Sequence, residues 1–354
     1  MAPIREPQRG GAQAFLADLA TGLARRGHSV EVFAASGSEI DGVHCVDVGV
    51  DASTLQRFLY RAGSAPPDDG SVFEAAYARV FDAVGERSYD VIHNHAFDPP
   101  AIRLAVEVHA PVIHTIHLPP EASVVHALRK AAQMRNPPLI ATVSRAQARA
   151  WRSLINVDLV LPVGIPTAEI AWSATPGAGA VFAGRFSPEK GAAEAIAIAR
   201  RAGMAIDLYG DAYDDAYAER EVYAAVGQPG VTVHRAVPRT VLWGVMARAA
   251  IVLCPAGWDE PFGLVAAEAQ ACATPVVAFR RGGLEDVIRD GVTGFLVAPG
   301  DIEGAAGTLS RIDDIERTAC RRHAEAHFDI ESVLDAHDRV YQGLSRPRKV
   351  AAGA

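Results

Sequence analysis

Glu260 and Glu268 stand eight residues apart in the stretch "GWDEPFGLVAAEAQ", which begins at Gly257. Arg185 and Lys190 bracket a second stretch, "GRFSPEKG". A carboxylate accepts hydrogen bonds from neighbouring hydroxyls, so a pair of them suits a sugar and a ribose. A guanidinium offers a fork of donors and an ammonium a point charge, and together they suit a diphosphate. Pro261, Phe262 and Gly263 stand where a loop turns into a helix, whose free N–H groups and positive dipole end attract an anion. Gly263 lets such an anion approach the backbone. Plainer readings stay open: a solvated basic loop for Arg185 and Lys190, and a helix N-cap for Asp259 or Glu260. Taken alone, Glu-x7-Glu is a weak pattern.

These residues need elements to position them, and the chain supplies an alternation of apolar runs and helical periodicity. The first half offers "SVEVFAA", "HCVDV", "DVIHNH", "PVIHTIH", "LIATVS" and "DLVLPV" as strands. A helix begins near Ala12, with Leu16, Leu19 and Leu23 on one face, and stops at Gly27. Phe73, Tyr77, Val80, Phe81 and Val84 form another stripe, whose meaning is core packing. "PTAEIAWSATPGAG" reads as a linker. Then "AVFAG", "MAIDLYG", "VTVHRAV", "AIVLCP", "PVVAF" and "GFLVAP" alternate with helices, among them 192–202, 214–227 and 239–249. The expected fold is α/β, with two Rossmann-like doubly wound domains and a cleft between them. The units are 1–166, 176–326 and a last helix within 327–345, "FDIESVLDAHDRVYQGL" read from Phe328, with the first unit as one place for it to pack. Ligands in such sheets sit beyond the carboxyl ends of the strands.

Composition narrows the partners. The chain has 354 residues, 49% hydrophobic and 21% charged, enough for more than one core. A net charge of −8 makes bulk nucleic acid a poor partner. Cys45, Cys254, Cys272 and Cys320 have no metal spacing and read as thiols of a reducing cytoplasm. No run approaches the roughly 18 apolar residues of a membrane span. The N-terminal stretch has no apolar core of a signal peptide. The expected location is the cytoplasm. "HALRKAAQMR", with Arg129, Lys130 and Arg135, reads as a solvated face rather than a membrane-surface helix. "SRPRKVAAGA" reads as a tail.

In order along the chain, "GRFSPEKG", "EPFGLVAAE", "PVVAFRRGG" and "DGVTGFLV" closely resemble the signature of the family 4 glycosyltransferases, a retaining group with the GT-B fold. The resemblance spans about residues 8–345, is most specific in the second half, and is closest to bacterial members acting on small molecules. It implies a nucleotide-sugar donor, UDP- or GDP-linked in most members, with a UDP-hexose expected here. It implies a hydroxyl acceptor, retention of configuration, and neither metal nor cofactor. Arg185 and Lys190 match the pair that holds the donor diphosphate. Glu268 matches the glutamate that binds the ribose, and Glu260 the one facing the transferred sugar. The backbone of Phe262, Gly263 and Leu264 matches the segment that bonds sugar hydroxyls and phosphate. Gly10 and Gly11 match the glycine loop near donor phosphate and acceptor. His95, in "DVIHNHAF", matches the histidine that reaches the sugar near its anomeric centre. Thr115 and His117 end a second strand towards the cleft, and Ser144 and Arg145 a third. The acceptor, a small molecule by expectation, is left to loops such as "RFLYRAGSAPPDDG".

Several features depart from that pattern. Family members open with an apolar strand, whereas only "MAPIREPQ" precedes "RGGAQ" here. A missing first strand is therefore expected, from a mis-assigned start or a truncation, and it would leave its neighbours unpaired. "VGIP" replaces the more usual Asn-Gly-Ile-Asp, and Asp286 takes the acidic place after Gly282 and Gly283. His93, His95, His114 and His117 have plausible zinc spacings, but no cysteine joins them and there is no Asp-x-Asp. Three rival readings remain: a UDP-sugar epimerase of the same fold; a starch or glycogen synthase, whose members are usually longer and carry a lysine in the glycine loop where this chain has Arg9-Gly10-Gly11; and a degenerate protein that binds a sugar nucleotide without transferring it.

Overall fold

A computed structural model describes residues 3–50 and 71–345; the loop "RFLYRAGSAPPDDG" and the tail after Ser345 lie outside the described residues. The first half runs α1 (Gly11–Arg25), β1 (Glu31–Ala34), β2 (His44–Asp47), α2 (Ser71–Gly85), β3 (Ile92–Asn94), α3 (Pro99–Ala105), β4 (Val112–Ile116), α4 (Ala122–Ala131), β5 (Leu139–Thr142), α5 (Arg145–Arg152) and β6 (Leu159–Val160). Phe15, Leu19 and Leu23, four residues apart, form the buried stripe of α1. Leu16, expected on that face, packs instead beside Ile4, Val32 and Ile40.

All strand pairs are parallel, but the first-half strands do not make one sheet. β1 pairs with β2, and β3-β4-β5-β6 form a separate four-stranded sheet. Among the described residues, no strand pairs with both of these sheets to join them. Ile4 is buried beside β1, and its backbone N–H and C=O are taken by Ser38 Oγ at 3.0 Å and Glu39 N at 2.8 Å.

The second half runs β7 (Ala180–Ala183), α6 (Ala192–Arg201), β8 (Ile206–Tyr209), α7 (Asp215–Tyr217), β9 (Val231–His234), α8 (Arg239–Arg248), β10 (Ile251–Cys254), α9 (Leu264–Ala271), β11 (Val276–Phe279), α10 (Leu284–Val287) and β12 (Gly294–Val297). The helix expected over 214–227 is instead broken, with a π segment from Ala218 to Val222 following α7. β7 and β11 are buried along their whole length, which is why they read as unbroken apolar runs rather than alternations. The strand order is β12-β11-β10-β7-β8-β9. β7 and β10 are thus neighbours although β8 and β9 lie between them in sequence. That reversal is the switch point of a doubly wound sheet, where a crevice opens beyond the strand ends.

α11 (Ile302–Leu309), α12 (Arg317–Phe328) and α13 (Ile330–Ser345) complete the described chain. The long terminal helix thus begins at Ile330, with a separate helix before it. Arg317 and Arg321 in α12 are buried and donate to backbone carbonyls, including Ala249 O at 3.0 Å and Ala271 O at 2.7 Å. The chain then crosses back: Ile165 N–H reaches Phe328 O at 2.8 Å, and Ile330 N–H reaches Ile165 O at 2.9 Å. α13 lies on α1, where Arg26 meets Glu331, Asp335 and Asp338. Leu334 is fully buried there because Gly22 of α1 leaves room for it. Burial of a leucine contributes about 2 kcal/mol. Among the described residues, no helix is long and apolar enough to cross a membrane.

Candidate functional site

The loops that leave β7 and β10 stand at the switch point. The β7 loop carries Arg185 and Lys190, and the β10 loop carries Glu260. Gly191 joins them: its φ is +78°, and a Cβ there would overlap the Pro255 carbonyl oxygen. A second strap runs from Gly257 N–H to Glu189 O at 3.0 Å. Gly263, with φ +103°, turns the β10 loop into α9.

These loops deliver an arrangement of paired charges. Lys190 Nζ lies 2.8 Å from both Glu260 oxygens, and Trp258 Nε1 donates to Oε2 at 2.7 Å. Burial pushes the Glu260 carboxyl up, but Lys190, the Trp258 N–H and Arg185 outweigh it and hold it below its ordinary value. The Arg185 guanidinium meets Glu189 at 3.2 Å and stacks 4.1 Å from the centroid of Tyr213. Its Nε is buried without a partner among the described residues, a donor left for something else.

Glu268 is buried on the second turn of α9. Its Oε1 accepts from Arg239 Nε at 2.9 Å and Trp243 Nε1 at 3.1 Å, and Arg239 Nη2 stands 2.8 Å away. Arg239 opens α8 and reaches across to α1, where its Nη1 lies 3.0 and 2.9 Å from the two Asp18 oxygens. Burial pushes the Asp18 carboxyl up to about 6, against the pull of Arg239. Sequence reasoning missed Arg239 and Asp18. The only hint was Arg239 and Trp243 at helical i, i+4 spacing, which brings the guanidinium over the indole.

The first half supplies the facing wall. Gly10 caps α1 without a side-chain hydrogen bond, as Gly263 caps α9. A Cβ on Gly11 would stand 3.3 Å from Leu264, so two helix N-termini, both uncapped by side chains, close on one another. Together these groups bound a cavity of about 1030 Å³ lined by Gly10, Gly11, Arg185, Lys190, Glu260, Phe262, Gly263, Leu264 and Glu268. Of the residues to which the family resemblance gives a donor-binding or catalytic role, all but His95 are on that wall. His117 lines the cavity in its place, and His95 Nδ1 lies behind it, 2.9 Å from His117 Nε2.

The remaining polar candidates are engaged elsewhere. Thr115 meets His93 Nε2 at 2.7 Å, and Ser144 caps α5 through Gln147 N at 3.0 Å. Asp286 accepts from Ala146 N at 2.8 Å, a second bridge between the halves. Burial lowers the His117 imidazole to about 4 and His114 to about 3, so both are neutral near pH 7. Among the described residues, no three His, Cys, Asp or Glu side chains converge as metal ligands.

Comparison with known proteins agrees with this geometry. The family described as "Glycosyltransferase Family 4" matches residues 9–169, and the one described as "Glycosyl transferases group 1" matches residues 176–326. The chain is 30% identical to the D-inositol 3-phosphate glycosyltransferase of Mycolicibacterium smegmatis, over 97% of this chain and 88% of that protein. In fold it resembles a sucrose-phosphate synthase from Thermosynechococcus elongatus, with a TM-score of 0.76 at 20% identity, covering 95% of this chain and 94% of the other. It also resembles the Anabaena HepE protein solved in complex with UDP and glucose, with a TM-score of 0.74 at 19% identity, covering 96% and 98%. Two parallel-sheet halves, helix N-termini meeting over a charged cavity, and both family matches lead to one assignment: the chain belongs to the family 4 glycosyltransferases of the GT-B fold.

Proposed function

We propose that the chain moves a hexose from a UDP-linked donor to a hydroxyl of a small acceptor, with retention of the anomeric configuration. The observation that carries this reading is the convergence of Arg185, Lys190 and two helix N-termini uncapped by side chains on one cavity. Such a set matches the charge of a diphosphate without help from a metal. Glu268 then takes the ribose and Glu260 the sugar hydroxyls. The acceptor oxygen forms its bond to the anomeric carbon on the face from which the diphosphate departs. The bond from that carbon to the phosphate oxygen breaks, and the departing oxygen takes the acceptor proton. Arg185, Lys190 and the helix N-termini stabilise the charge that grows on it. His117, on the first-half wall, is the imidazole placed to bond the sugar, and its neutral state suits a hydrogen-bonding role over a charged one.

The HepE protein was solved with UDP and glucose, and the mycobacterial relative is named for an inositol phosphate acceptor. The test therefore supplies UDP-glucose, UDP-N-acetylglucosamine or GDP-mannose with inositol phosphates and simple polyols, and follows product by NMR. A product whose anomeric coupling matches the donor supports the reading. An inverted product contradicts retention. Nucleotide binding without transfer or hydrolysis favours a protein that only binds sugar nucleotides.

A further inference from the structure

We infer that Arg239 is a positioning residue that makes donor recognition by Glu268 depend on the docking of α1, through Asp18. The inference rests on the reading of Glu268 as the ribose-binding carboxylate. One guanidinium serves both acids. Its Nε lies 2.9 Å from Glu268 Oε1, and its Nη1 lies 3.0 and 2.9 Å from the Asp18 oxygens. Asp18 belongs to the first half and Glu268 to the second. A further first-half acid, Glu6, accepts from the Arg239 backbone N–H at 3.2 Å. The halves are therefore joined at the residue that orients the donor carboxylate.

The division of hydrogen bonds on Glu268 explains why this matters. Both hydrogen bonds that reach its side chain, from Arg239 Nε and Trp243 Nε1, go to Oε1; Arg239 Nη2 stands 2.8 Å from the same oxygen but makes no hydrogen bond among the described residues. None of these residues donates to Oε2, and Glu268 lines the cavity. A buried carboxylate needs a counter-charge, but it can accept from a ribose only through an oxygen that its counter-charge leaves free. Asp18 secures that division. It holds Nη1, so the guanidinium turns a single edge to Glu268. With Asp18 neutralised, the fork is free to straddle both Glu268 oxygens in the bidentate geometry that arginine favours. The oxygen left for the ligand is then occupied. Asp18 itself does not line the cavity, so its effect on the donor passes through Arg239.

The test is calorimetric titration of UDP into the unsubstituted chain, Asp18→Asn, Glu268→Gln and the double variant, with thermal melts as the folding control. Asp18→Asn is expected to weaken UDP binding about tenfold, within the range of ordinary coupling between sites. The double variant is expected to bind no more weakly than Glu268→Gln alone, because both substitutions break one path. Arg239→Lys, which keeps the charge and loses the fork, is expected to resemble Asp18→Asn. Asp18→Asn binding UDP as tightly as the unsubstituted chain would overturn the inference, as would additive losses in the double variant. In both of those results UDP still binds, and the transferase reading stands. If the folded, unsubstituted chain binds no UDP, the reading fails and takes this inference with it.

Discussion

Lys190 Nζ lies 2.8 Å from both carboxylate oxygens of Glu260. The cation assigned to the diphosphate and the acid assigned to the sugar thus neutralise each other across the switch point. Removing either one leaves a half-buried charge without its partner. Lys190→Ala is expected to lower stability at pH 7.5 by about 1–2 kcal/mol, less than for a fully buried pair because water still reaches both side chains. The sign of its pH dependence follows from linkage. Without Lys190, burial raises the folded-state value of Glu260 above its unfolded value. The penalty is then absent below the unfolded pKa, near 4.3, and grows as pH rises through the folded one. Urea midpoints compared at pH 5 and pH 7.5 check this. An equal deficit at both values contradicts the pairing.

Gly191 offers a purely steric test of the same loop. Its φ of +78° and its approach to the Pro255 carbonyl leave no room for a methyl group. Gly191→Ala is expected to cost about 3 kcal/mol, from the left-handed backbone and the overlap together. It is also expected to displace Lys190 and to weaken UDP binding more than its loss of stability explains. Calorimetry on the folded fraction separates the two effects. A variant with native stability and affinity would show that the loop has another way to pack.

The second sheet and its loops were legible from sequence because buried parallel strands leave unbroken apolar runs, as "AVFA" and "VVAF" do. Charged residues in the glycine-bearing loops that follow then mark the crevice. His95 and His117 were not separable in this way. Both lie at the carboxyl ends of adjacent strands, and only the three-dimensional packing puts His117 on the cavity wall and His95 behind it. Arg239 and Asp18 lie 221 residues apart, with no local pattern to link them. The helix at Arg317–Phe328 was missed, because Arg317 and Arg321 are buried and spoil the usual polar–apolar contrast.

Acid should strike the first half hardest. Burial lowers His93 and His95 well below the usual imidazole value, His114 to about 3, His117 to about 4, and also lowers His337. For a depressed group, the stabilising contribution is fully present above the unfolded value, near 6.5. It is lost as pH falls from there towards the folded value. Each such histidine contributes up to about 1.4 kcal/mol of lost stability per pH unit. Melting temperatures are expected to hold from pH 8 to 7 and to fall steeply below 6.5. Both ring nitrogens of His114 are buried without a partner among the described residues. His114→Leu is therefore expected to shallow that fall by about one proton's worth. An unchanged slope contradicts the prediction.

His117 and His95 should separate by function. His117→Ala is expected to reduce transfer at least tenfold while UDP binding changes little, because the side chains proposed to hold the nucleotide, Arg185, Lys190 and Glu268, lie in the second half. His95→Asn, whose amide keeps a polar group beside His117, is expected to retain more activity than His95→Ala. Steady-state kinetics with UDP titrations alongside provide the check. Loss of UDP affinity in His117→Ala would place the imidazole against the nucleotide instead.

The measurement that tests the central claim most directly is calorimetric binding of UDP and UDP-glucose to the chain, beside Arg185→Ala and Glu268→Ala. The account predicts binding to the unsubstituted chain and a loss of tenfold or more in each variant, with the melts showing all three proteins folded. A folded chain that binds neither ligand, or binds them undiminished without Arg185 and Glu268, would contradict it.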